Sequence, residues 1–82
     1  MRVTVIAPDQ AVFDGEADAV VAPAFDGLIG ILPRHAPLMT ILGQGTLTLR
    51  SGTNENRFQV SGGFLQVARD RVRIVADRVA NS

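Results

Sequence analysis

Eighty-two residues, 46% of them hydrophobic and 20% charged, make a chain apolar enough to fold around one thin core and too short for two. The formal net charge is zero, which removes bulk electrostatic attraction to nucleic acid or anionic lipid as an expectation. With no cysteine and no lysine, disulfide frameworks, thiolate metal sites, Schiff-base chemistry and P-loop phosphate binding are excluded.

A single domain over residues 1–82 is expected. The N-terminus, MRVTVIAPDQ, has neither the apolar segment nor the cleavage site of a signal peptide. Apolar runs break well before the roughly 18 residues a membrane helix needs, so the chain reads as soluble and retained where it is made.

Period-2 alternation dominates, which predicts strands. Arg2-Val3-Thr4-Val5 alternates until Pro8-Asp9-Gln10 interrupts it. Val12-Phe13-Asp14-Gly15 reads as a short strand entering a turn. From Glu16 to Ala22 the alternation places Ala17, Ala19 and Val21 on one face, with Pro23 closing the run. In Thr46-Leu47-Thr48-Leu49-Arg50 the leucines point inward and the polar residues out. Arg57-Phe58-Gln59-Val60 repeats that pattern, and Arg71-Val72-Arg73-Ile74 carries it on to Ala76. Leu47 and Phe64 are expected core anchors.

Turn signals separate these runs at Asp14-Gly15, Asp26-Gly27, Gly43-x-Gly45, Ser51-Gly52-Thr53-Asn54 and Arg69-Asp70. Gly62-Gly63, between two strand-like runs, would let the backbone bulge or turn a corner. Eight or nine short strands with glycine-rich turns predict an all-β fold, an antiparallel sandwich or flattened barrel.

Little in the sequence supports turnover. His35 is the sole histidine, too few for a zinc site. Ser51 and Ser61 sit beside turn glycines, outside any nucleophile-elbow pattern. Gly43-Gln44-Gly45 precedes a strand where a phosphate loop would open a helix. Neither tryptophan nor tyrosine is present to stack on sugars or bases. No catalytic, cofactor-binding or metal-binding residue is therefore expected, and no cofactor. Charge is uneven: residues 1–33 carry one arginine against five carboxylates, residues 34–82 seven arginines against three.

One segment stands apart. In Gly30-Ile31-Leu32-Pro33-Arg34-His35-Ala36-Pro37-Leu38 two prolines stiffen the chain around Arg34 and His35. Such pre-ordering lowers the entropy lost on contact with a partner. The plainer alternative is a corner between strands, with His35 bonded to its own backbone.

The order Glu16-x-Asp18-x-Val20, Pro23, Gly27-x-x-Gly30-Ile31-Leu32-Pro33-x-His35-Ala36-Pro37-Leu38 resembles the N-terminal domain of the ε (epsilon) subunit of F-type ATP synthase. Gly45-x-Leu47, Ser61-Gly62-Gly63-Phe64-x-x-Val67 and Val72-x-Ile74-x-Ala76-Asp77 are similar to the same family in the same order, so the likeness runs from about Val3 to Asp77. It implies a flattened β-sandwich of about ten strands and a non-catalytic place in the central stalk. The partners it implies are the γ (gamma) subunit and the c-ring, whose ion-driven rotation the stalk carries to the catalytic head. It implies an interface at Asp26, Gly27, Leu28, Ile29 and Gly30, read as a loop, with Pro33, Arg34, His35, Ala36 and Pro37 at the same end. Leu28 stands where members commonly carry a polar or acidic residue, which favours an apolar contact there. Members continue into a two-helix C-terminal domain, whereas this sequence stops at Ser82, so its regulatory functions are not expected. The expected location is peripheral, on the cytoplasmic face of a bacterial plasma membrane. A free-standing ligand-binding sandwich is the alternative and requires an apolar cavity of roughly 300 Å³ or more.

Overall fold

The computed structural model describes residues 1–81; Ser82, the last residue of the expected domain, lies outside the described residues. Regular structure among the described residues is all strand. In chain order the strands are β1 Arg2–Ile6, β2 Ala11–Glu16, β3 Ala19–Ala24, β4 Gly27–Ile31, β5 Leu38–Ile41, β6 Gln44–Ser51, β7 Asn54–Ala68 and β8 Arg71–Asn81.

The pairing partners of β7 change halfway along it. Residues 54–61 pair with β6, while Phe64–Val67 pair with β5, and β8 follows on the other side along both halves. One layer therefore runs β2-β1-β8-β7-β5 and the other β4-β3-β6-β7-β8, with β7 and β8 passing from one to the other. Counted by layer there are five strands in each. That reconciles the eight elements with the ten the family resemblance implies. All pairings are antiparallel except β1 with β8, which is parallel.

Alternation turns this pairing into a core. Across the first layer, Val3, Val72, Val67 and Leu38 share one row, and Phe13, Val5, Ile74, Leu65 and Thr40 the next. Across the second layer Ile31, Val20 and Leu49 share a row, with Leu47 opposite Phe58 and Val60 opposite Val79. The inward members form one aliphatic cluster in which Val3, Val5, Val20, Ile31, Leu47, Leu65 and Ile74 have no exposed surface. No polar side chain among the described residues is buried with them.

The strands change layer at Gly62-Gly63. Pairing is interrupted between Ser61–Arg78 and Gly63–Ala76 with the register unchanged, and both glycines adopt left-handed φ values of 71° and 105°. A Cβ on Gly63 would run into the backbone carbonyl oxygen of Val75, which cannot swing aside. The corner expected there is present.

Four expectations are corrected. Val20 and Ala22 face the core in β3, while Val21 faces out, because the chain bends at Asp18 and resets its phase after buried Ala17. That bend is held by Asp18 N–H on the Arg50 carbonyl and by the Asp18 carboxylate on Gly52 N–H. Pro23 lies inside β3 and does not end it; the β3–β6 register stops at Val21, so no ladder donor is lost on that side. Asp14-Gly15 lies within β2, where the ladder with β1 runs through it and Arg2 takes the Asp14 carboxylate at 2.7 Å. Leu65 fills the core position expected of Phe64, which lies on the outer face between Ile41 and Val75.

Candidate functional site

The edge strands β4 and β5 belong to different layers, yet the segment 32–37 that joins them keeps both on one flank. At the far end Phe25 N–H donates to the Ile41 carbonyl at 3.0 Å and Ala24 bridges to Leu42, so the flank is closed at both ends. Every large hydrophobic side chain that is exposed among the described residues lies here. Phe25, Leu28, Leu32, Met39 and Ile41 are each between 62% and 75% exposed, and Val21 sits opposite Gly30 on β3. Isolated apolar residues on a surface need no explanation, but a set confined to one flank is a candidate contact surface.

The proline segment is braced. Leu32-Pro33-Arg34-His35 makes a turn closed by His35 N–H on the Leu32 carbonyl at 3.2 Å, with proline at the second position. Arg34 takes the third position at a φ of 67°, a region that costs a non-glycine residue roughly 1 kcal/mol. It is held there by its N–H on Asp70 Oδ1 at 3.0 Å. Asp70 belongs to the β7–β8 turn, accepts Arg2 N–H on its carbonyl at 3.1 Å and places Oδ2 3.9 Å from the terminal ammonium. One carboxylate thus fastens the proline turn to a hairpin and to the start of the chain.

His35 is half-buried, with Nδ1 2.7 Å from the Ala36 carbonyl. A carbonyl only accepts, so Nδ1 carries the proton and Nε2 is left to a partner. The backbone bond anticipated for His35 and its place beside the flank therefore coexist. Two strands in from β4, the β6–β7 hairpin holds Glu55 Oε1 2.6 Å from Arg57 and Oε2 3.4 Å from Arg50. Arg57 first, then Arg50, keep that carboxyl below the usual range.

The residues singled out in the sequence are distributed along the flank. Asp26 lies in the β3–β4 turn; Gly27, Leu28, Ile29 and Gly30 form β4, not a loop. Leu28 and Gly30 face out, whereas Ile29 packs against the core. Pro33, Arg34, His35, Ala36 and Pro37 stand at the opposite end of β4, about 15 Å of strand away from Asp26. The structure gathers the ten residues on one edge but not at one end. Sequence reasoning missed Phe25, Leu32, Met39 and Ile41. In Leu38-Met39-Thr40-Ile41-Leu42 nearly every residue is apolar, so only the β5–β7 register shows which face outward.

The chain matches, over residues 1–82, the family model described as ATP synthase, Delta/Epsilon chain, beta-sandwich domain. It is 47% identical over 77 residues to the ATP synthase epsilon chain of Dehalococcoides mccartyi, covering 94% of this chain and 55% of that one. Identity to the ATP synthase epsilon chain of Leptospira borgpetersenii is 41% over 80 residues, covering 98% and 63%. The chain thus spans between about half and two-thirds of the length of these relatives. In solved structures its fold is similar to a chain of the Euglena gracilis mitochondrial ATP synthase, with a TM-score of 0.89 at 23% identity over 96% of this chain and 51% of that chain. A chain of the Tetrahymena thermophila mitochondrial ATP synthase central stalk and c-ring gives 0.83 at 17% identity over 99% and 66%. Family model, curated relatives and fold agree: the chain belongs to the family of β-sandwich domains of ATP synthase delta/epsilon chains.

Proposed function

We propose that this domain is a non-catalytic part of the rotor of an F-type ATP synthase, seated on the γ subunit and the c-ring and carrying ion-driven rotation toward the catalytic subunits. The observation that carries the reading is the confinement of exposed apolar side chains to the β4–β5 flank, beside a turn fastened to the β7–β8 hairpin through Asp70. A coupling element must not creep under load, and a proline turn tied by Asp70 to a hairpin and the N-terminus resists deformation. Asp26, Gly27, Leu28, Gly30, Pro33, Arg34, His35, Ala36 and Pro37 form the contact edge, Ile29 supports it from beneath, and Phe25, Leu32, Met39 and Ile41 extend it. The exposed leucine at 28 contributes apolar contact where an ion pair would add only about 0–1 kcal/mol.

No helix among the described residues is long and apolar enough to cross a membrane. On the reading proposed, protein partners hold the domain at the cytoplasmic face of a bacterial membrane. A free-standing binder has no observation in its favour: three depressions of about 480, 470 and 620 Å³ are open surface grooves.

Residues 1–82 hold no cysteine, so each substitution adds a single thiol to the domain. Leu28→Cys, His35→Cys and Met39→Cys in the full-length chain of the assembled synthase should crosslink to γ or ring subunits, while Ala80→Cys on the far flank should not. Crosslinks from Ala80→Cys alone would refute the assignment.

A further inference from the structure

The outer face of the first layer gathers guanidinium groups. Arg71 and Arg73 alternate along β8 with the core residues Val72 and Ile74, so both point outward about 7 Å apart. Arg69 stands in the turn just before them, and Arg2 is the direct partner of Arg71 across the β1–β8 ladder. Arg2 has its own counter-charge in Asp14. Among the described residues Arg69, Arg71 and Arg73 have no carboxylate within 4.0 Å; they line a shallow depression of about 620 Å³ together with Gln66 and Ala68. Like charges placed opposite one another on neighbouring strands are destabilising, and arginine's planar fork is suited to pairing with carboxylates.

This basic face is continuous with the apolar flank. Gln66 pairs with Met39 on one side and with Arg73 on the other. A body resting on Met39 reaches Arg73 across two strand spacings, about 10 Å. The turn that carries Arg69 also carries Asp70, which fastens the proline segment.

We infer that the partner seated on the apolar flank continues onto this face with an acidic strip, its side-chain carboxylates pairing with Arg69, Arg71 and Arg73. The inference rests on the docking reading and adds the chemistry of the partner's surface. An open strand face with arginines at every second residue does not enclose a small anion. It does match carboxylates presented at a similar spacing by a protein surface, and the apolar flank beside it suits the same kind of partner.

The test uses the full-length chain rebound to γ-containing rotor assembly stripped of it, with the dissociation constant measured over a salt series. Arg71→Glu with Arg73→Glu should weaken binding about tenfold or more at low salt, with the gap closing as salt rises. Met39→Ser with Ile41→Ser should weaken it at every salt concentration. Thermal melts keep the comparison clean: the arginine pair should melt no lower than the parent, because the Arg2–Arg71 repulsion is removed. If the apolar pair weakens binding and the arginine pair binds like the parent throughout, the acidic strip is refuted and the flank stands. If neither pair changes binding, the docking reading fails as well. Loss of binding to phosphatidylglycerol vesicles in the arginine pair, with unchanged affinity for the assembly, would give the face to lipid and overturn the inference.

Discussion

Leu65 and Phe64 are neighbours in sequence on opposite faces of β7, and truncating each separates the core from the outer surface. Leu65 is fully buried among Ile74, Val5 and Thr40, whereas Phe64 lies on the outer face. Leu65→Ala deletes three buried carbons, about 2.4 kcal/mol of transfer free energy at 0.8 kcal/mol each. An unfilled cavity raises the loss to as much as about 5 kcal/mol. A domain of this length has a total stability of roughly 4–12 kcal/mol, so this one change removes a large fraction of it. The expected fall in melting temperature is roughly 10–30 °C. Phe64→Ala, from a half-buried site on the outer face, should cost less, about 1–2 kcal/mol. Urea and thermal melts of both variants by far-UV circular dichroism measure the difference. Equal losses, or a larger one for Phe64→Ala, would refute the assignment of faces in β7 and with it the register of the first layer.

Three further outcomes follow from local geometry. Gly63→Ala should cost more than about 3 kcal/mol or prevent folding, since its Cβ meets the Val75 carbonyl; a stable variant on refolding would show that the strand corner lies elsewhere. Arg34→Gly should raise stability by up to about 1 kcal/mol in a chemical melt, by relieving the left-handed conformation, and a loss would mean that the turn is not strained. Glu55 has a lowered carboxyl pKa, so its ion pairs stabilise the fold above the ordinary carboxylate pKa and that contribution is lost as pH falls through the lowered value. Melts of Glu55→Gln against the parent should therefore differ near neutral pH and converge in acid; a gap that persists in acid refutes the pairing.

The fold class was legible because two-residue alternation is a direct imprint of sheets with one buried face. Leu47, Leu49, Phe58, Val60, Val72 and Ile74 all follow it into the core. Alternation failed where something resets its phase. At Asp18 a bend shifts the inward set from Ala19 and Val21 to Val20 and Ala22. At Gly62-Gly63 two left-handed residues decide that Leu65, not Phe64, turns inward. The corner itself was visible in the paired glycines, but its consequence for the next side chain required the register. The proline segment was legible as stiff, since proline fixes its own φ. That it is tied to Asp70, 36 residues away in sequence, is a tertiary fact that no local pattern carries. The run 38–42 concealed the exposed flank, because apolar residues stand at both its inward and outward positions and its one polar residue, Thr40, lies in an inward row. The strand character of residues 78–81 was hidden too, since Arg78-Val79-Ala80-Asn81 acquires it only by pairing with β7.

Amide hydrogen exchange on the full-length chain, free and within the assembled synthase, tests the docking flank most directly. Residues 25–41 should gain protection on assembly, while 9–16 and 77–81, on the opposite edges, should exchange as they do in the free chain. Protection of the opposite edges with 25–41 unchanged would contradict the account.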